Sequence, residues 1–200
     1  TLTAAFEELF ERGRLAFGED SVFDRAKVTA QAWLVALGRH TITGALATCG
    51  RLFEDWSAAY RLFEHERFDA EKLFGVVRRT VTESLSDKSA PYVVIADDTL
   101  VRKTGKKVAE TKWYHDPLGP PFDHQIAWGQ RVLELCAILP PGKGTEQAAR
   151  AVPVDLFLRT VPKKPRKATD EMMAEYEKAK KEAALPQTCA AQFKALRKAL

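Results

Sequence analysis

Two adjacent carboxylates end the most strongly β-branched stretch of the chain. The run YVVIA at residues 92–96 is apolar, and Asp97 and Asp98 follow it directly. Such a run predicts a buried strand over 92–98 with both acids at its end. Burying a carboxylate without a partner costs several kcal/mol, so a compensating charge is expected close by.

Carboxylates held at a strand end suit a hard divalent cation, which prefers oxygen ligands. Successive side chains of a strand point to opposite faces, so only Asp98 shares the face of Val94 and Ala96. The two acids are therefore expected to have different roles. The alternative is that Asp97 or Asp98 simply begins a turn by accepting local backbone hydrogen bonds.

Basic residues follow the acids in two groups. They are candidates for contacts with nucleic-acid phosphates, and solvated basic segments are the alternative. The net charge is +4, and its positive excess lies after residue 90, because residues 1–90 contain more acids than bases. A pI near 8.9 is compatible with nucleic-acid binding but does not require it. The candidates are Lys103, Lys106, Lys107 and Lys112, then Lys163, Lys164, Arg166 and Lys167.

Two other groups of residues are interpreted as structural. The loop KWYHDPLGPPFDHQ at 112–125 contains aromatic, histidine and aspartate residues that could stack on bases or bind metal, but its histidine spacing matches no zinc pattern. An ordinary turn is favoured there. Cys49, Cys136 and Cys189 are widely spaced and lack ligand spacing, so reduced thiols and no zinc are expected.

The elements that must position these residues change character near residue 88. Helical periodicity predicts five helices in the first 88 residues, and SDKSAP at 86–91 interrupts the pattern. Strands are then predicted at 92–98, 107–114, 130–139 and 152–160, the first three as an antiparallel meander, followed by helices at 169–185 and 188–200. The prediction is an α+β protein with a helical domain at 1–88 and a second domain at 89–200.

The chain resembles a known family in three stretches. IADDTLVRKTGKKVAETKWYHDPLG, the strand WGQRVLELCAIL and the upstream GRHTITGAL are similar to the insertion-sequence 701-like transposases, a DDE group related to the insertion-sequence 4 transposases. The likeness covers most of the chain, and DDT followed by a K-x-G turn is its most specific element.

The resemblance implies a helical N-terminal domain followed by the first part of a ribonuclease-H-like catalytic domain. Members of the family use two Asp and one Glu to hold two Mg²⁺ (or Mn²⁺) ions, cleave the ends of a mobile element and join them to target DNA. The first acid of the set corresponds to Asp98, and Asp97 is a neighbouring catalytic candidate of open role. The implied partners are double-stranded transposon ends and target DNA, a homodimer is compatible, and the implied location is the prokaryotic cytoplasm, at the nucleoid.

The second Asp and the Glu of the family have no match in this sequence. The available acids, Asp116, Asp123, Glu134 and Asp155, do not occupy the family's positions. The chain begins with Thr1 and ends within a predicted helix, so we expect part of a longer protein, inactive alone, with the metal site completed by acids outside the chain. No run approaches the roughly 18 apolar residues of a membrane span, so no membrane partner is expected.

Two other functional classes stay open. One is a non-catalytic DNA-binding or regulatory protein derived from such a transposase. The other is a nuclease or phosphohydrolase that is unrelated to transposition but built on a similar sheet. Binding to transposon ends would distinguish the second class from a transposase.

Overall fold

The structure is a computed structural model that describes residues 1–38, 40–84, 91–105, 107–116, 118–120, 122, 124–139 and 149–200. Within these ranges it has seven α-helices and one antiparallel sheet, which confirms the α+β prediction. The chain divides into two compact units, a helical unit Thr1–Val77 and a sheet unit Arg78–Leu200. The predicted boundary at 88 lies in 85–90, outside the described residues, and it stays a prediction.

The first five helices occur close to their predicted places. Local signals explain this agreement; for example, Thr41 caps its helix by accepting a hydrogen bond from the Gly44 amide at 3.0 Å. The last of the five crosses the division between the two units. The helices are α1 (Leu2–Arg12), α2 (Asp20–Val35), α3 (Ile42–Thr48), α4 (Ser57–Glu64) and α5 (Ala70–Ser84).

Phenylalanine rings form much of the core of the helical unit. Phe23 is 1% exposed, and its ring centroid lies 5.3 Å from that of Phe10 and 5.5 Å from that of Phe17. Phe17 also forms an isolated antiparallel bridge with Phe68, which joins the turn after α1 to the segment before α5. The apolar stripes of short helices thus meet around rings that bury a large area each.

The sheet unit is built on one long central strand. Its strands are β1 (Val94–Arg102), β2 (Lys112–His115), β3 (Ile126–Leu139) and β4 (Arg150–Leu158), and all three of the others pair antiparallel with β3. β1 occupies one edge of β3, and β2 and β4 follow one another along the other edge. The helices α6 (Asp170–Glu182) and α7 (Leu185–Ala199) complete the unit, as predicted.

The predicted meander of the first three strands is wrong. β1 does not pair with β2; both pair with β3, and β2 is only four residues long instead of spanning 107–114. The physical reason is the length of β3, whose 14 residues offer ladder hydrogen bonds on both edges. β3 can therefore pair with the short strand β2 and with the two longer strands β1 and β4.

Gly129 allows three strands to meet at one point of the sheet. It is the register partner of both Arg102 in β1 and Lys112 in β2. A Cβ atom at this position would lie 2.5 Å from the carbonyl oxygen of Val101, closer than real Cβ contacts allow. Glycine is thus required by close backbone approach.

The two faces of the sheet differ in burial. One face carries Leu133, Leu135 and Ala137 of β3, each at most 2% exposed, together with the bulged Val154 of β4. The opposite face leaves large apolar side chains such as Ile95 and Leu156 exposed. The same alternation determines on which face of the sheet the candidate site residues Asp97 and Asp98 lie.

Candidate functional site

Asp98 lies in the middle of β1 and not at its end. β1 continues to Arg102, and Asp98 is the register partner of Leu133 in the buried face. The prediction of a strand ending at 98 is wrong, because TLVR at 99–102 continues the extended pattern and β3 provides partners for all of it. Asp98 is therefore held by a ladder on one side of β3 and faces the interior, with its side chain 9% exposed.

Two guanidinium groups compensate the buried charge of Asp98. Arg131 Nη1 donates to Asp98 Oδ2 at 2.5 Å, and Arg159 Nη1 donates to the same oxygen at 2.9 Å. Arg131 is two residues before Leu133 in β3 and so points to the same face, and Arg159 directly follows β4. A buried carboxylate needs such charged partners. The three residues form what we call the Asp98 cluster.

The Asp98 cluster bears directly on the predicted metal site. Cations that bind carboxylates compete with guanidinium groups for the same oxygens, and Oδ2 of Asp98 already accepts from two arginines. Oδ1 is buried and makes no hydrogen bond within the described residues. In the described part of the chain, no group of three or more His, Cys, Asp or Glu residues is placed to hold a metal ion. Metal ligation by Asp98 stays a prediction.

Asp97 lies on the opposite face of the sheet and is exposed. Its Oδ2 accepts a hydrogen bond from Thr99 Oγ1 at 2.7 Å, and its register partner across the ladder is Glu134. Cys136 lies on the same face, and its pKa is raised by desolvation and by the nearby charges of Glu134 and Asp97. The two adjacent acids are thus in different environments, one compensated and one open to solvent.

A groove of about 500 Å³ lies beside the Asp98 cluster, which we call the basic groove. The groove is lined by Lys112 and Tyr114 of β2 and by Arg131 and Arg159 of the Asp98 cluster. The Lys112 Nζ atom lies 5.1 Å and the Arg131 Cζ atom 5.7 Å from the centroid of the Tyr114 ring. The other lining residues are Trp113, His115 and Val161.

The charges around the basic groove act on its titratable side chains. Desolvation lowers the pKa of Lys112, and the positive charges of Arg159 and Lys163 lower it further against the opposing effect of Glu110. Desolvation also raises the pKa of Tyr114, so its phenol stays protonated at neutral pH. Positive charge is therefore in excess at the groove, and Lys112 and Tyr114 are partly desolvated there.

The predicted phosphate-binding residues are only partly brought together. Lys112 lines the basic groove, and Lys163 is near enough for its charge to act on Lys112. Lys103 lines a separate cleft with Trp113 and Trp128. The residues Lys107, Lys164, Arg166 and Lys167 are exposed, and Lys106 lies outside the described residues, as does Asp123.

An exposed tryptophan marks the second cleft. Trp113 is 67% exposed and packs edge-on against Trp128, with 5.6 Å between ring centroids. Trp128 is anchored, because its Nε1 donates to the carbonyl of Gly105 at 3.2 Å. Trp113 of the predicted loop thus leaves one face of its ring open to a stacking partner, while the ring of Trp128 in β3 is held in place.

Asp116 has a structural role. Arg102 Nη2 donates to Asp116 Oδ2 at 2.6 Å, and the Leu118 amide donates to Oδ1 at 3.1 Å. These bonds, the arginine above all, lower the pKa of Asp116. The pair connects the end of β1 to the segment that follows β2, which agrees with the turn interpretation of this loop.

Arg131 and Arg159 are the site residues that the sequence analysis missed. Each stands at an inward position of an apolar strand pattern, Arg131 in QRVLEL and Arg159 in DLFLRT. A buried arginine needs an anionic partner, so these positions were a usable signal for pairing with an inward acid such as Asp98.

Comparisons with known proteins give no further assignment. Neither protein-family models, nor curated protein sequences, nor solved structures match this chain.

In the part of the chain that the structure describes, each helix is too short or too polar to cross a membrane.

Proposed function

We propose that the chain is the N-terminal portion of a DDE transposase of the insertion-sequence 701-like group, which cleaves and joins DNA by two-metal phosphodiester chemistry. The observation that carries the proposal is the position of the DDT motif. Asp97 and Asp98 lie on β1, the first strand of an antiparallel sheet that follows five helices. This is the order of elements that the resemblance implies for a ribonuclease-H-like domain.

The two acids fit a metal site to different extents. Asp97 is exposed and directly opposite Glu134, so its carboxylate oxygens are accessible to a hard cation. Asp98 does not fit as it stands, because two arginines hold its Oδ2. Asp97 is therefore the better ligand candidate, and Asp98 with its arginines would fix the position of β1. The family's second Asp and Glu have no counterpart among the acids of this chain, so the chain supplies at most the first acid of the set.

When bound, a pair of Mg²⁺ or Mn²⁺ ions would supply activation of the attacking water or 3′-hydroxyl and charge stabilisation at the leaving oxygen. The chain's own contribution is binding and orientation. Lys112, Lys163 and the exposed residues of the 163–167 segment would neutralise backbone phosphates, and Trp113 offers a ring for stacking on a base.

DNA binding is testable with this chain. Replacing both Lys164 and Lys167 by Gln should lower the slope of log K against log salt by about two for double-stranded DNA. Replacing Lys178 and Lys198 by Gln is the matched control, because these exposed lysines of α6 and α7 carry the same charge and lie outside the predicted segment. Equal slopes for both double variants would exclude the 163–167 segment from the interface.

Catalysis is testable in a protein that joins this chain to the remaining acids of the proposed set. Asp97→Asn should retain folding and end binding but lose metal-dependent cleavage. Cleavage at the wild-type rate by folded Asp97→Asn and folded Asp98→Asn would contradict a metal site on β1. The experiment needs a melting curve for each variant, because Asp98 also has a structural role.

A non-catalytic DNA-binding protein derived from such a transposase is the second candidate. The observation that favours it is the complete pairing of Asp98 Oδ2 with arginines, which suits a structural ion cluster. Binding of transposon ends without metal-dependent cleavage, in the same joined protein, would support this candidate over the transposase.

A further inference from the structure

We propose that the basic groove is a binding site for a phosphate-type oxyanion, held by Lys112, Tyr114, Arg131 and Arg159. The oxyanion site stands on the geometry of the groove. Only the assignment of that oxyanion to a DNA backbone rests on the proposed function.

Positive charge in the groove exceeds what its acids compensate. Lys112, Arg131, Arg159 and Lys163 act there, against Asp98 in the cluster and Glu110 near Lys112. Because Asp98 is one carboxylate shared by two guanidinium groups, its charge balances at most one of them. An anion in the groove would relieve the remaining repulsion among the desolvated cations.

Hydrogen-bond donors at the groove lack partners. Arg159 has a side chain that is 10% exposed, and its buried Nε makes no hydrogen bond within the described residues. The buried hydroxyl of Tyr114 is also without a partner there. Buried donors in folded proteins are normally satisfied, so these two donors, on residues that line the groove, indicate a missing acceptor; since both atoms are closed to solvent, an oxyanion reaches them only when the groove side chains shift. Asp98 Oδ1 is a third buried atom without a hydrogen bond within the described residues, and it is an acceptor.

The guanidinium groups of the site are held in place by the protein itself. Arg159 cannot move freely, because Nη1 is bound to Asp98 and Nη2 donates to the Ala183 carbonyl at 3.3 Å. Arg131 is held in the same way by Asp98 and by the His115 carbonyl. Guanidinium groups positioned in advance suit phosphate oxygens. Lys112 is the adaptable part, since its Nζ is held by a long hydrogen bond of 3.5 Å to the Val161 carbonyl and by the Tyr114 ring.

The test measures binding of inorganic phosphate to the whole chain by calorimetry at constant ionic strength, with chloride as the competing background. Lys112→Met should weaken phosphate binding about tenfold or more, the effect of one lost hydrogen bond to a charged group. Tyr114→Phe should weaken it in the same direction, since it removes only the hydroxyl. Lys178→Met is the matched control, an exposed lysine of α6 whose loss should leave the affinity within about twofold.

Melting temperatures of the variants show that each is folded before binding is compared. Phosphate affinities that are equal in Lys112→Met, Tyr114→Phe and Lys178→Met would overturn the proposal, as would no measurable phosphate binding above the chloride background.

Competition separates the two sources of the oxyanion. Displacement of phosphate by a double-stranded oligonucleotide, together with weaker binding of that oligonucleotide by Lys112→Met than by Lys178→Met, would support a DNA backbone phosphate in the groove. Phosphate binding that the oligonucleotide does not displace would uphold the site and assign it to a small phosphate-bearing molecule. Failure of the chain to bind DNA anywhere would count against the proposed function without affecting the phosphate result.

Discussion

Asp98 depends on two arginines for its place in the sheet interior. The carboxylate and both guanidinium groups are largely removed from water, so each would be costly there alone. From the sequence alone, a metal ion is expected to compensate this charge, and loss of the carboxylate would then raise the stability of the metal-free fold. The arginines reverse this expectation, because removal of the acid leaves two cations unpaired.

Asp98→Asn should therefore destabilise the sheet unit, by about 3 kcal/mol, the typical loss when one partner of a buried pair is removed. Urea denaturation followed by tryptophan fluorescence measures the change. Asp97→Asn is the neighbouring control, and as an exposed substitution it should change the free energy of unfolding by no more than about 0.5 kcal/mol. Equal stability of the two variants would contradict the structural role of the cluster.

Asp116 gives the sheet unit a defined response to acid. Its pKa is lowered from 3.8 when folded, chiefly by the hydrogen bond from Arg102. At a pH between the folded pKa of Asp116 and 3.8, the unfolded chain binds more protons than the folded protein. The stabilisation by the Arg102–Asp116 pair is therefore fully present above pH 3.8, and it is lost as the pH falls through the folded pKa.

The measurement is the difference in unfolding free energy between wild type and Asp116→Asn as a function of pH. This difference should be constant near neutral pH and shrink in acid. Arg102→Met removes the partner and should flatten the same part of the profile. A difference that stays constant down to the lowest pH at which the protein folds would show that Asp116 contributes no acid sensitivity.

At the scale of elements, β3 organises the sheet unit. It supplies Arg131 to the Asp98 cluster, Leu133 and Leu135 to the buried face and Gly129 to the meeting point of three strands. The site depends on this strand because β1, β2 and β4 each pair with β3. A change in its backbone should therefore affect the cluster and the basic groove together.

Gly129→Ala tests this dependence. The added Cβ would meet the Val101 carbonyl, so β1 and β3 must separate locally at a cost of about 2 kcal/mol. Phosphate binding in the groove should weaken as well, since β2 pairs at the same residue. Gly18→Ala is the control, because a methyl group there meets nothing within 4 Å. Wild-type stability of Gly129→Ala would show that the strands adjust freely.

At the scale of the whole molecule, two compact units are joined through α5. The contact pattern divides the chain after Val77, inside that helix, whereas composition places a domain boundary at 88. Arg78 is buried, at 5% exposed, so a protease site in this part of α5 is protected by its surroundings.

Limited trypsin digestion distinguishes the two positions. We expect the first cut after Lys88, in the Ser, Asp, Lys and Pro-containing stretch that interrupts the helical pattern, with Arg78 and Arg79 intact. Lys88→Gln should remove that cut and leave the rest of the digestion unchanged. An early cut after Arg78 or Arg79 would instead place the boundary at the division given by the contacts.

Helix positions, the extended character of 94–98 and the presence of two acids on opposite faces of one strand were determined by the sequence itself. Each depends on interactions between residues a few positions apart, such as the Thr41 cap or the alternation around Asp97 and Asp98. The transposase assignment and the phosphate-binding segment stay predictions from resemblance and composition. Asp116 was recognisable as a turn residue, for the same local reason.

Only the tertiary structure decided which strands pair, that Asp98 sits in the middle of β1, and that Arg131 and Arg159 are its partners. Arg131 and Arg159 are 33 and 61 residues away from Asp98 along the chain. Contacts over such separations depend on the register of β3 with both of its edges, which no local pattern of residues specifies. The same register brings Lys112 and Tyr114 beside the two arginines, so the basic groove exists only once the sheet has formed.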